Sequence, residues 1–265
     1  MTGGGSVTPE TLAEVTWTEG PMHPVIGPDD VHVWSIPLDP PRDGLSSLAR
    51  GLSQEERERA DRFIAAVDRA RFIAGHARLR AILARYLDIV PSAIRFQTSS
   101  FGKPRLLTNG SGEGIHFNFS HSDRLALCAV SRAREIGVDV ERIEPSGSLA
   151  EIAARYFSPR EGAALASLPS DEQRDAFYAC WSRKEAYVKA RGRGLSIPLD
   201  SFDVSLAPGD QDALLADRAE QGDLCWRIFD LSPSAGFAGA LAVEGRYAAI
   251  SRYRWSEVES IPGAR

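Results

Sequence analysis

The chain has 265 residues, of which 43% are hydrophobic and 25% are charged, and this composition excludes a disordered or fibrous protein. No apolar run approaches the roughly 20 residues of a membrane helix, and the start MTGGGSVTPE lacks the features of a secretory signal. The net charge of −5 and the pI near 5.6 argue against a general nucleic-acid-binding protein.

The three cysteines, Cys128, Cys180 and Cys225, are odd in number and lack metal-ligand spacing. They imply neither a disulfide framework nor a zinc site, and a reducing cytoplasm fits best. Positive charge is concentrated between Arg42 and Arg105, where 13 basic residues stand against 7 acidic ones. One face of the protein is therefore expected to attract an anion.

Residues 1–30 are rich in Gly, Pro, Thr and Glu without periodicity, which predicts a mobile tail or a strap on the surface. The alternation in VHVWSI predicts a strand from Val31. Ser53 and Glu56 form a capping-box signature that predicts a helix start. The apolar stripe expected on that helix comprises Ala60, Phe63, Ile64 and Val67.

A second helix is predicted from about Asp68, with an apolar face and arginines that recur every seven residues at Arg71, Arg78 and Arg85. In IHFNFSH, apolar residues alternate with His116, Asn118 and Ser120, as in a half-buried strand. LALCAV and IGVDVE predict two more strands.

Ser158, Pro159 and Glu161 predict a capped helix, and a further helix is expected from about Asp171 to Ala190, ending at Gly192. Four segments predict a closing run of antiparallel strands: SFDVSL, LCWRIF, FAGALAV and YAAISRYRW. The two successive blocks of helices and sheet predict an α+β fold of two similar halves joined near 131–136, although no direct repeat is present.

Asp139 and Glu141 lie at i and i+2 of a predicted strand, so both carboxylates point to one face. Hard oxygen ligands at this spacing suit Mg²⁺. Since D-x-E by itself is a weak signal, a solvated strand face remains the alternative.

Two of the chain's three lysines, Lys184 and Lys189, flank Glu185 beside Trp181 on one predicted helix. A surface ion pair between Glu185 and Lys189 is the alternative interpretation of this cluster. His121 follows a strand where a loop could present it to a phosphate, although a lone histidine is more often structural.

Taken in order, several long motifs closely resemble those of the Sfp-type 4′-phosphopantetheinyl transferases. They are FGKPRL, FNFSHS, IGVDVE, FSPRE, WSRKEAYVK and GRGLSIPLDSF, together with LSQEERERADRF, and they cover Val31 to Val243. The resemblance implies two similar α+β halves related by a pseudo-twofold axis, with coenzyme A in the cleft between them. It assigns the coenzyme A nucleotide to residues 31–135 and the magnesium-binding acids to residues 136–265.

The resemblance also implies roles for single residues. Mg²⁺ is expected on Asp139, Glu141 and Glu185. The coenzyme A-binding residues are expected to be Arg59, Arg71, Lys103, Pro104, Ser120, His121, Lys184 and Lys189. Within this set, Lys189 and His121 contact the phosphates, and Arg59 and Arg71 approach the 3′-phosphate. Glu56 stands where some relatives carry a basic residue, which leaves open which groups hold the 3′-phosphate.

The implied reaction moves 4′-phosphopantetheine from coenzyme A to a serine of an apo acyl or peptidyl carrier protein and releases 3′,5′-ADP. Lys189, His121 and Glu161 are the expected catalytic residues, with Glu161 as base or only as a helix cap. The protein is expected to be a cytoplasmic monomer that binds neither nucleic acid nor membrane. The alternatives are a transferase dedicated to one carrier and a non-catalytic carrier- or nucleotide-binding module.

Overall fold

Two β-sheets, each covered by one long helix, form the fold. The computed structural model describes residues 16–40, 44–107, 114–145, 147–207, 209–210, 213–217, 226–246 and 248–256. The helices are α1 (Leu45–Arg50), α2 (Gln54–Ala60), α3 (Ala66–Leu87), α4 (Leu149–Tyr156), α5 (Pro159–Ser167) and α6 (Gln173–Arg191). No helix within these ranges is both long and apolar enough to cross a bilayer.

The strands divide between the sheets and two hairpins. They are β1 (Thr18–Glu19), β2 (Asp30–Pro37), β3 (Phe96–Thr98), β4 (Pro104–Leu106), β5 (Ile115–Ser122), β6 (Leu125–Arg132), β7 (Ile136–Arg142), β8 (Phe202–Val204), β9 (Leu214–Asp217), β10 (Trp226–Asp230), β11 (Phe237–Glu244) and β12 (Ala249–Arg254). The first sheet has the order β1-β12-β2-β6-β5 and the second the order β10-β11-β7, while β3-β4 and β8-β9 are separate pairs.

The same chain path occurs twice. In the first half, β2 precedes α3 and then the strands β5 and β6, and in the second half β7 precedes α6 and then β10 and β11. In the first half β2 pairs antiparallel with β6, and β6 also pairs antiparallel with β5. In the second half β7 pairs antiparallel with β11, and β11 also pairs antiparallel with β10. The predicted α+β fold of two similar halves is thereby confirmed.

The two sheets and their long helices enclose three apolar layers, and a further buried cluster lies among α1, α2 and α3. Trp34 and Ile36 of β2 face α3, whereas Val31 and Val33 of the same strand pack against the second sheet. Because successive side chains of a strand point to opposite faces, β2 is apolar on both and is covered on both. A third apolar layer lies beneath α6 and contains Tyr187.

Helix α6 packs directly on β7 at Gly137. A Cβ at this position would lie 2.1 Å from the Ala186 carbonyl oxygen and 2.3 Å from the Ala190 nitrogen. The helix ends at Gly192, as predicted, because that residue adopts a left-handed conformation with φ of 64°. The close approach fixes the distance between α6 and the strand that carries Asp139.

Both predicted capping boxes are present, at Ser53 with Glu56 and at Ser158 with Glu161. The apolar stripe expected after the first of them is wrong, since α2 ends at Ala60. Ile64 is fully exposed in the connection to α3, which begins at Ala66. Phe63 and Val67 are also exposed. Their spacing mimics a helical face, although a break over residues 61–65 separates α2 from α3.

The closing strands also differ from the prediction. Strand β12, within YAAISRYRW, pairs parallel with β2 of the first sheet, so it does not extend an antiparallel run. Thr18–Glu19 pairs parallel with β12, and Trp17 is buried, while residues 1–15 lie outside the described residues. Cys225 and the start of LCWRIF lie outside them as well, and Cys128 and Cys180 are free and buried.

We expect Gly137→Ala to lower the free energy of unfolding by about 1–3 kcal/mol, because the added methyl group collides with helix backbone that cannot move aside locally. Gly162→Ala is the control, since a Cβ there meets nothing within 4 Å. In the α5 interior it should be neutral or stabilising by up to about 1 kcal/mol. Urea unfolding measures both, and equal effects of the two substitutions would contradict this account of the α6 contact.

Candidate active site

The polar side chains of β5 meet the second sheet. The Asn118 side-chain oxygen accepts a hydrogen bond from the Val138 backbone N–H at 2.7 Å, and the Ser122 hydroxyl donates to Glu141 at 3.2 Å. Asn118 and Ser120 are both buried. Strand β5 is the last strand of one sheet and β7 the last strand of the other, so side chains join the two sheets where the D-x-E pair lies.

Lys189, Ser120 and Asp139 are in mutual contact at this junction. The Lys189 ammonium donates to Asp139 Oδ1 at 2.5 Å and to Ser120 Oγ at 2.9 Å, and the Ser120 hydroxyl donates to the same Oδ1 at 2.9 Å. The Asp139 side chain is 2% exposed and that of Lys189 30%. A buried carboxylate requires such a positive partner. A solvated strand face does not describe Asp139.

Glu141 and Glu185 lie within electrostatic reach of Asp139. Burial, followed by the negative charge of Asp139, raises the pKa of Glu141 to about 7. The same two causes raise the pKa of Glu185. A like charge nearby disfavours ionisation, so the three expected metal ligands share one region of negative potential.

The donor chemistry of this region fits Mg²⁺. Asp139 Oδ2 is buried and has no hydrogen-bond partner among the described residues, and carboxylate oxygens are the ligands that Mg²⁺ prefers. Within the described part of the chain, no three His, Cys, Asp or Glu side chains are already gathered at a metal-binding spacing. In this structure the Lys189 ammonium supplies the positive charge at Asp139.

Two cavities lie beside the Lys189 contact. The hairpin cavity is lined by Phe101, Gly102, Lys103, Pro104, Asn118, Phe119, Glu185, Val188, Lys189, Gly192 and Gly194. The histidine cavity is lined by Leu38, Phe63, Asp68, Arg71, Phe72, Gly75, His76, Phe119, His121 and Asp123. Phe119 lines both, so the cavities are adjacent. Five expected coenzyme A-binding residues line one or the other: Lys103, Pro104, Arg71, His121 and Lys189.

His121 is surrounded by cations. Desolvation by the surrounding protein lowers the pKa of His121, and the positive charges of His76, Lys189 and Arg59 lower it further. Positive charge therefore lies close to His121. A bound anion would offset this repulsion and favour the protonated imidazole.

Lys103 lines the hairpin cavity with its stem, whereas its ammonium points into the protein. The ammonium donates to Glu135 Oε2 at 2.8 Å and to the carbonyl oxygens of Ile136 and Ala190 at 3.0 and 3.1 Å. These acceptors use all three of its protons. Lys103 thus ties the β3-β4 hairpin to the start of β7 and to the end of α6.

The two arginines expected at the 3′-phosphate have different surroundings. Arg71 forms ion pairs with Asp39 at 2.8 Å and with Asp123 at 2.5 Å, so much of its charge is already compensated. Arg59 is exposed, and its guanidinium lies over the Phe72 ring at 5.2 Å from the centroid. Of the two, Arg59 is the less compensated cation.

The structure places Glu161 and Lys184 in the interior, as a fully buried ion pair at 2.7 Å. Glu161 also accepts from the backbone N–H groups of Ser158 and Val204 at 2.8 Å, and Lys184 donates to the carbonyl oxygens of Leu199 and Phe202. Lys184 was expected to bind coenzyme A, but its three protons are used inside the fold and it lines neither cavity. The hydrogen bond that Glu161 accepts from the Ser158 backbone N–H is the one expected of a helix-capping residue.

Sequence reasoning missed Asn118, Phe119 and His76, all of which line the cavities. The signal for Asn118 was its place on the polar side of a strand, two residues before Ser120. His76 gave no local signal, because its partner Glu56 lies on another helix.

Comparison with known proteins agrees with this division into halves. A model described as "4'-phosphopantetheinyl transferase superfamily" matches residues 135–247, and one described as "4'-phosphopantetheinyl transferase, N-terminal" matches residues 37–133. The two matches meet at the connection between β6 and β7.

Three relatives have the same kind of name. The chain is 40% identical over 234 residues to 4'-phosphopantetheinyl transferase HetI of Nostoc sp., covering 88% of this chain and 96% of the relative. It is 41% identical over 155 residues to 4'-phosphopantetheinyl transferase Sfp of Bacillus subtilis, covering 58% and 66%. It is 32% identical over 171 residues to the human L-aminoadipate-semialdehyde dehydrogenase-phosphopantetheinyl transferase, covering 62% and 55%. The 40% identity extends over almost the whole length of HetI, and the fold has the two halves that the family models describe. These findings show that this chain belongs to the Sfp-type 4′-phosphopantetheinyl transferases.

Proposed function

We propose that the chain transfers 4′-phosphopantetheine from coenzyme A to a serine of an apo acyl or peptidyl carrier protein and releases 3′,5′-ADP, with Mg²⁺ as cofactor. The observation that carries the proposal is the contact of Lys189 with Asp139 and Ser120, at the hairpin cavity and within electrostatic reach of Glu141 and Glu185. A cation and three carboxylates thus lie together at the junction of the halves, and we assign the cation to the phosphates and the carboxylates to Mg²⁺.

In this proposal Asp139, Glu141 and Glu185 hold Mg²⁺, which would neutralise charge on the diphosphate when bound. Residues 31–135 bind the nucleotide of coenzyme A, and residues 136–265 supply the acids. Since both halves are in one chain, we propose that the protein acts as a monomer. We further propose that it works in the cytoplasm on carriers of polyketide or nonribosomal peptide synthesis.

Phosphoryl transfer requires mainly that reactants are positioned and that developing charge is stabilised. Lys189 is placed to exchange its contact with Asp139 for a phosphate oxygen, because its side chain is still 30% exposed. His121 would donate a hydrogen bond to a phosphate, because the bound anion favours the protonated form of its imidazole. Glu161 would act as a structural residue, since buried partners occupy both of its oxygens.

The defining experiment incubates the protein with coenzyme A, Mg²⁺ and a panel of apo carriers, followed by mass spectrometry of the carriers. We expect one phosphopantetheine per modified carrier and stoichiometric 3′,5′-ADP. Coenzyme A binding without modification of any carrier would favour the non-catalytic module, and modification of one carrier alone would favour the dedicated transferase.

We expect Asp139→Asn to lower transfer at limiting Mg²⁺ by about 100-fold or more, because a central oxygen ligand loses its charge. Asp171→Asn is the control, since Asp171 is exposed and outside both cavities. Initial rates over a Mg²⁺ titration measure the effect. A parent-like Mg²⁺ dependence in Asp139→Asn would remove this residue from the metal site.

Lys189→Arg should lower turnover although the net charge is unchanged, because the planar guanidinium replaces a compact ammonium in a tight contact. Lys189→Ala should lower turnover further and reduce the free energy of unfolding by about 1–3 kcal/mol, since buried Asp139 loses its cation. Turnover at saturating Mg²⁺ and urea unfolding are the measurements. If both variants match the parent in turnover and in the free energy of unfolding, the Lys189–Asp139 ion pair contributes neither to the reaction nor to stability.

Glu161→Gln should cost about 3–5 kcal/mol in stability, because it leaves the Lys184 ammonium buried without its counter-charge. The double variant Glu161→Gln with Lys184→Met should recover part of this loss. We expect the folded fraction of both variants to retain transfer activity. An inactive folded fraction of the Glu161→Gln single variant would instead identify Glu161 as the catalytic base.

A further inference from the structure

Glu56 and His76 form a pair that the proposed reaction does not use. The Glu56 carboxylate accepts hydrogen bonds from the Ser53 backbone N–H at 2.8 Å and from Arg80 Nε at 2.7 Å, and its other oxygen lies 3.2 Å from His76 Nδ1. Its pKa is lowered to about 2 against the cost of burial, by its bonds to His76 and Arg80 foremost. Glu56 is therefore ionised at neutral pH.

This charge fixes the role of one nitrogen of the His76 ring. An ionised carboxylate only accepts hydrogen bonds, so His76 Nδ1 carries the proton and Nε2 is the nitrogen left to serve another group. No described residue bonds His76 Nε2. The Phe72 ring stacks on the imidazole at 4.1 Å between centroids, and Phe119 approaches it edge-on at 6.1 Å. The ring is held in one orientation while its side chain stays 22% exposed.

The cavity that His76 lines is suited to an anion. His76, Lys189 and Arg59 are close enough to His121 to repel its proton. Two acids also line the cavity, namely Asp68 and Asp123, but Asp123 is compensated by ion pairs with Arg71 and Arg142.

We propose that His76, oriented by Glu56, is a phosphate-binding residue of this cavity: in the complex its ring carries a proton on both nitrogens, and Nε2 donates a hydrogen bond to a phosphate oxygen of coenzyme A. The inference rests on the proposed function, which makes coenzyme A the ligand. It also gives Glu56 a role, because the carboxylate that accepts from Nδ1 holds the ring in the orientation that leaves Nε2 for the ligand.

The test measures calorimetric affinity for coenzyme A and for dephospho-coenzyme A in the presence of Mg²⁺. His76→Asn keeps a donor for Glu56 but has nothing at the Nε2 position, so we expect coenzyme A affinity to fall about 10- to 100-fold. His76→Gln, which reaches toward Nε2, should recover part of it, and Glu56→Gln should weaken binding while retaining the helix cap. A loss confined to coenzyme A identifies the 3′-phosphate as the partner, and an equal loss for both ligands identifies the diphosphate. Either result supports the proposal.

His116→Asn is the matched control, because His116 also faces a carboxylate, Glu135 at 3.4 Å, but lines a different cavity. It should bind coenzyme A like the parent. Parent-like affinity of a folded His76→Asn would overturn the proposal. If that variant does not fold, imidazole NMR of the parent decides, since unchanged His76 signals at saturating coenzyme A would equally overturn it. A parent that binds coenzyme A but modifies no carrier would contradict the proposed function and not this inference.

Discussion

The buried carboxylate of Asp139 constrains the whole arrangement. A charge with 2% of its side chain exposed requires an opposite charge and hydrogen bonds, and these come from Lys189 on α6 and Ser120 on β5. The three residues belong to different elements and to both halves of the molecule. The counter-charge comes from the same half as Asp139 and the Ser120 hydroxyl from the other half, so the full set of partners is assembled only when both halves are in place.

Contacts at the junction of the two sheets also fix the position of β7, the strand that carries Asp139. Asn118 and Ser122 of β5 bond to β7, and Lys103 clamps the hairpin to β7 and to α6. Gly137 lets α6 approach the same strand at backbone distance. Strand β7, which carries Asp139 and Glu141, is thus held by β5, by the hairpin and by α6, and Lys103 and Asn118 of these contacts also line the hairpin cavity.

The two lysines of α6 have different roles because they point to different faces of the helix. Lys184 and Lys189 are five residues apart, which at about 100° per residue places them on nearly opposite faces. Lys184 is buried with Glu161 beneath α6, while Lys189 reaches the cleft on the face that also carries Glu185. Their proximity in sequence suggested one site, but their angular separation assigns them to two.

Local sequence patterns determined the secondary-structure elements and the family of this protein. Strand alternation, two capping boxes and the glycine at the end of α6 set the elements, and the motif series set the family, because these signals act between residues a few positions apart. The partners across the fold were decided by tertiary structure. The polar side of β5 looked like a solvent-facing strand surface, yet Ser120 bonds Asp139 and Lys189 across 19 and 69 residues of sequence. The ammonium of Lys103 and the charge of Arg71 were likewise committed to distant carboxylates. Local periodicity states which side of a strand or helix is polar, but whether that side meets water, an acid or a second sheet depends on packing between elements far apart in the chain.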